Sequence, residues 1–146
     1  MRTFLLLALP AFLAIGCGPT SRSYSVSVEN QSAEPYMIWM TKNGPPAEQA
    51  WFSPEQVAIY GLDRGVNVPG TVVRPGKTAS RSNVSGKFER ETDAVLRVYR
   101  GERKLTEILA VGPDSSDRTD VTLAPDVKND LVIDKDGKIV PRAGAK

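Results

Sequence analysis

The sequence predicts an all-β fold: an antiparallel sandwich of about eight short strands, with one short helix in a long connection. Three observations lead there. Beyond residue 16, Val and Ile total 20 against 6 Leu, and branched side chains pack best on a pleated surface. Several segments alternate apolar and polar residues at period two, the mark of a half-buried strand. Turn signals recur about every 8–12 residues, a spacing that suits a sandwich or small barrel.

Taken in order, Tyr24–Val28 alternates cleanly and forms the first strand. The turn cluster Asn30–Pro35 leads to a second strand at Tyr36–Thr41, which Asn43-Gly44-Pro45-Pro46 ends. Thr71–Arg74 is a short strand closed by Pro75-Gly76, with Thr78–Val84 continuing after it. Ala94–Arg100 is the clearest strand, and Gly101-Glu102 turns it into a further strand at Leu105–Val111, where Leu105, Leu109 and Val111 share a parity. A polar loop at Gly112–Arg118 precedes the alternating Asp120–Leu123. Leu131–Ile133 and Lys138–Val140 flank Asp136-Gly137, a favoured hairpin pair. The long connection Asn43–Gly70 holds the helix, with Ser53 as N-cap, Pro54 at its first position and Gln56 completing a capping box. About two turns follow before Gly61.

Composition removes whole classes of chemistry. Histidine is absent and cysteine occurs once. These counts exclude imidazole acid–base catalysis, Ser–His and Cys–His nucleophiles, Cys/His zinc sites and intrachain disulfides. The net charge of +2 is spread without a basic block, so no nucleic-acid partner is expected. No Gly-rich loop follows a strand, and no cofactor is expected.

The N-terminus has the form of a secretion leader. Arg2 supplies its positive charge, and Phe4–Ile15 is an apolar run of 12 residues. A spanning helix needs about 20. The chain divides into a signal peptide at 1–16, a lipidated tether at 17–23, a sandwich domain at 24–141 and a flexible tail at 142–146. Ala14-Ile15-Gly16-Cys17 resembles the lipobox of bacterial lipoproteins. Membership implies that the Cys17 sulfur receives a diacylglycerol and that the leader is cut before Cys17. It also implies a membrane held through the lipid, in the cell envelope. Gly18, where the family often has a retaining aspartate, implies onward transport to an outer membrane facing the periplasm in a diderm cell. The sole cysteine of the chain stands where that pattern requires it. Ordinary secretion through Ala14 and Gly16, giving a soluble protein with a free thiol, is the alternative.

The strand pattern is similar to immunoglobulin-like and transthyretin-like sandwiches over most of Tyr24–Val140. The phrases Trp39–Pro46 and Trp51–Gln56 look like a signature of small envelope lipoproteins, which implies a location and no activity.

The best candidate for a contact surface is aromatic. Trp39, Trp51, Phe52 and Tyr60, with Tyr36, would form a platform for an envelope protein or a glycan if exposed. The other reading has the connection folding over the open end of the sandwich, with Trp51 plugging the core. Glu48, Glu55, Asp63, Glu89, Glu91 and Asp93 supply the carboxylates that an alternative function, hydrolysis of envelope glycans, would need in pairs. Asp134-Lys-Asp-Gly137 and the group Asp114, Asp117 and Asp120 echo calcium loops without the full ligand set, and no metal is assigned. Asn30-Gln-Ser32 and Asn83-Val-Ser85 match a glycosylation pattern that a bacterial lipoprotein makes incidental. The expected function is a non-catalytic binding or structural module on a membrane anchor.

Overall fold

The computed structural model describes residues 18–61 and 70–142. The leader, Cys17, Asp63 and the tail beyond 142 lie outside them. Among the described residues eight strands build two four-stranded sheets, as an all-β sandwich requires. The strands are β1 (Thr20–Asn30), β2 (Tyr36–Lys42), β3 (Gly70–Val73), β4 (Thr78–Phe88), β5 (Ala94–Arg100), β6 (Arg118–Thr122), β7 (Lys128–Ile133) and β8 (Ile139–Pro141). One sheet runs β4-β1-β7-β8 and the other β3-β2-β5-β6. The helices are α1 (Pro54–Tyr60) and α2 (Leu105–Leu109). Among the described residues, no helix is long and apolar enough to cross a membrane.

Three expectations are corrected. The sandwich is not wholly antiparallel, because β1 and β7 pair in parallel from Ser25↔Lys128 to Asn30↔Ile133. Alternation reveals that a segment is a strand but not which neighbour it takes. The tether does not run to Ser23: β1 opens at Thr20, where Thr20↔Phe88 to Ser23↔Ser85 extend the ladder with β4. Backbone groups that a free leash would leave in water are thus paired within the sheet. Finally, 105–111 is not a strand. Its first five residues are α2, with the Lys104 N–H donating to the Glu107 carboxylate at 2.7 Å.

Between the sheets lies the main core, with Val26 and Val28 from β1, Ile38 and Met40 from β2, Leu96 and Val98 from β5, and Leu131 and Ile133 from β7. A smaller core covers the outer face of the second sheet. There Trp39, Tyr99 and Ile108 are buried, with Met37, Val57, Leu105 and Val111 packed against them. β2 is therefore buried on both faces, and its side chains from Ile38 to Met40 are apolar without alternation. Leu105, Ile108 and Val111, three residues apart, line one face of a helical turn and explain why that segment coils.

Asn30 ties the first turn to the sheet. It is fully buried, and its side-chain nitrogen donates to the Glu34 and Val73 carbonyls at 2.7 and 2.9 Å. Its oxygen accepts from the Ser32 N–H and hydroxyl. Such a side chain is not an accessible glycan acceptor.

Candidate functional site

The 43–61 connection leaves β2 at the end of the sandwich where β1 begins. A 3-10 turn at Gln49–Trp51 drops the Trp51 indole between the sheets, leaving it 1% exposed. The ring meets Tyr24 and Phe88 edge-on, with centroids 5.5 and 5.2 Å apart. Its Nε1–H donates to the Ser85 carbonyl at 3.0 Å, and the Trp51 carbonyl accepts from the Thr41 hydroxyl at 2.9 Å. A Cβ on Gly86 would fall 2.4 Å from Nε1, so the indole fits only against a glycine.

Trp51 is thus the plug of the open end and takes no part in a surface platform. Trp39 is corrected in the same way. It is 4% exposed under α1, and its Nε1–H donates to the Phe52 carbonyl at 2.8 Å. Both indoles sit where large apolar area and one satisfied N–H lower the free energy most.

Tyr36 also is buried, in the main core, and the remaining two candidates, Phe52 and Tyr60, do come together. Phe52 is half-buried and Tyr60 exposed, with ring centroids 5.7 Å apart. Ile59 joins them, and it is 73% exposed beside Tyr60 at 69%. Residue type alone does not put Ile59 among the sequence candidates. With Val57 turned to the sheet, a residue two positions on lies roughly 200° around the helix, and that angle was the available signal.

α1 is firmly seated. The Ser53 hydroxyl accepts from the Gln56 N–H, and the Gln56 side chain accepts from the Ser53 N–H, which completes the expected capping box. Gly61 ends the helix at φ 71°, a conformation that glycine adopts without strain. Both Arg97 hydrogen bonds to Glu55, at 3.0 and 2.9 Å, clasp the helix to β5. Burial works against the Glu55 charge, but hydrogen bonds from Ser53, its own N–H and Arg97 outweigh it and hold the carboxyl below its ordinary value.

An open groove beside α1 is lined by Lys42, Asn43, Pro45, Ser53, Gln56 and Arg97. Its cations are already engaged. Lys42 is buried, donates to Glu48 at 2.5 Å and to the Lys87 carbonyl at 2.9 Å, and lies 5.0 Å from the Phe88 ring centre. Glu48 also accepts from the Lys87 N–H at 2.9 Å. Of the aspartates that echo calcium loops, Asp117, Asp120 and Asp134 have other partners. Asp117 holds Arg103 and Asp120 holds Arg118, while Asp134 accepts from the backbone of Asp136 and Lys138 in its own turn.

No protein-family model matches the chain, and no characterised protein or solved structure shows significant similarity to it.

Proposed function

We propose that this chain is a lipid-anchored module of a bacterial envelope that binds a protein partner through α1 and performs no chemistry of its own. One observation carries the binding site: Ile59 and Tyr60 stand adjacent and more than two-thirds exposed, backed by Phe52, on a helix fixed by a capping box and an ion pair. A rigid apolar anchor of this kind loses little entropy on binding. The aliphatic Ile59 beside Tyr60 favours a protein surface over a sugar ring, which needs hydrogen-bonding groups around the aromatic face. The anchor is supported by the sequence, where the only cysteine follows an apolar leader and small residues.

Two observations count against the hydrolase reading. Glu48 and Glu55 are each bound by a cation, and the carboxyl of Glu55 is held in its ionised form, whereas a glycosidase acid needs a raised pKa.

The binding site is tested by a photocrosslinking side chain at position 60 in cells making the protein. A discrete protein adduct is expected, lost on Ile59→Asp and absent when the crosslinker is at position 33. Adducts with glycan alone, or equal adducts from both positions, overturn the reading. For the anchor, labelled palmitate should enter the wild type and not Cys17→Ser. Wild type recovered unlabelled from the aqueous fraction would leave the soluble secreted protein instead.

A further inference from the structure

We infer that the sandwich stands on the bilayer in one orientation, with the end built from residues 43–50 and 89–93 resting on the lipid. The inference rests on the acylation of Cys17 proposed above. Only Gly18 and Pro19 separate Cys17 from the first residue of β1. Three Cα steps span at most about 11 Å, and Pro19 has a fixed φ that stiffens them.

Topology decides which end that leash holds. Thr20 pairs with Phe88, the last residue of β4, and Lys42 pairs with Ala94 at the corresponding end of the other sheet. The connections leaving β2 and β4 therefore flank the leash. At the opposite end Asn30 pairs with Ile133 and Tyr36 with Arg100, so the 31–35 and 134–138 turns lie there. β1 runs the whole height in 11 residues, about 34 Å at the rise of an antiparallel strand. A leash about a third of that length cannot let the body invert and set the far end on the lipid in place of the tethered one.

The tethered end is stiffly joined to the body. The Arg22 guanidinium donates to the Thr92 carbonyl at 3.2 Å and lies 5.7 Å from the Phe88 ring centre, and the Thr20 hydroxyl donates to the Phe88 carbonyl at 3.4 Å. What faces the lipid there is small and balanced. Pro45, Ala47 and Ala50 are exposed, and the exposed Lys87 and Arg90 are offset by Glu89 and Glu91. Among the described residues no basic patch gathers at this end to attract anionic headgroups, so the leash keeps it down independently of salt.

The test uses the acylated full-length protein on vesicles. Because lipid occupies the only native thiol, one introduced cysteine carries a fluorophore uniquely. Labels are placed by Ala47→Cys and Arg90→Cys near the leash, and by Ala33→Cys and Lys135→Cys far from it, with a collisional quencher on the lipid headgroups. Quenching several-fold stronger at 47 and 90 is expected, unchanged in phosphatidylglycerol vesicles and at about 0.5 M salt. A Gly/Ser insert of about twelve residues after Gly18 should erase the contrast. Equal quenching at all four positions in protein that floats with the vesicles overturns the orientation alone, whereas a contrast that survives the insert overturns the leash as its cause. Protein that does not float overturns the acylation as well.

Discussion

Trp51→Ala separates the plug from the platform. The substitution empties a site enclosed by Tyr24, Phe88 and Gly86, and it removes two edge-on ring contacts and one hydrogen bond. Truncating a buried tryptophan costs about 3–5 kcal/mol. The Ser85 carbonyl belongs to an exposed residue that water can satisfy, so the lost bond adds little. We take about 4 kcal/mol, a large share of the roughly 5–15 kcal/mol that keeps a domain folded. At roughly 4 °C per kcal/mol for a domain of this size, Tm falls by about 15 °C. Urea unfolding followed by far-UV circular dichroism measures the free-energy loss and a thermal melt by the same signal the Tm, since removing one of two tryptophans changes the fluorescence signal itself. Tyr60→Ala, at an exposed position, is the control and should stay within about 0.5 kcal/mol. A loss below about 1 kcal/mol for Trp51→Ala, or one equal to the control, would refute the packing argument.

Three further expectations follow from single contacts. Gly86→Ala places a methyl 2.4 Å from the Trp51 nitrogen and should cost about 1–3 kcal/mol in the same unfolding assay, with the cost much reduced in a Trp51→Ala background. Tyr99→Phe should stabilise by about 1 kcal/mol, because among the described residues the buried hydroxyl has no hydrogen-bond partner of good geometry; burial pushes its pKa up, and the approach of Arg97 and the charges of Arg97 and Arg118 only partly oppose that. A loss of stability in that variant would show that the hydroxyl is satisfied. The Glu55–Arg97 pair, half exposed on the carboxylate side, should contribute only about 0.2–1 kcal/mol. The Glu55 pKa is lowered by folding, so this contribution is present above its ordinary 4.5 and is lost as pH falls through the folded value. Comparing wild type with Glu55→Gln between pH 3 and pH 7 checks it, and a difference that grows on acidification contradicts the sign.

Much of the fold was legible. Ala94–Arg100 is legible as a strand because Val95, Leu96, Val98 and Tyr99 make it rich in strand-forming apolar residues and Gly101 follows. The capping box of α1 was readable because it needs only local groups at fixed spacing. What could not be read were pairings and short helices. β1 finds β7 through contacts more than 100 residues apart, which no local pattern encodes. In α2, the parity of Leu105, Leu109 and Val111 competed with the spacing of Leu105, Ile108 and Val111, and packing against Trp39 and Tyr99 decided for the second. The aromatic site was half legible. Residue type named Trp39, Trp51, Phe52 and Tyr60, but only tertiary burial sorted the indoles into the cores and left Phe52 and Tyr60 at the surface with Ile59.

The parallel partnership of β1 and β7 also orders events in time. The opening strand is flanked by β4 and β7, so its second edge stays unsatisfied until residues 128–133 have been made. A chain delivered from its N-terminus cannot finish its first sheet before nearly all of it has arrived. Products shortened by about twenty residues would leave that strand edge bare, an invitation to misassembly and to proteolysis.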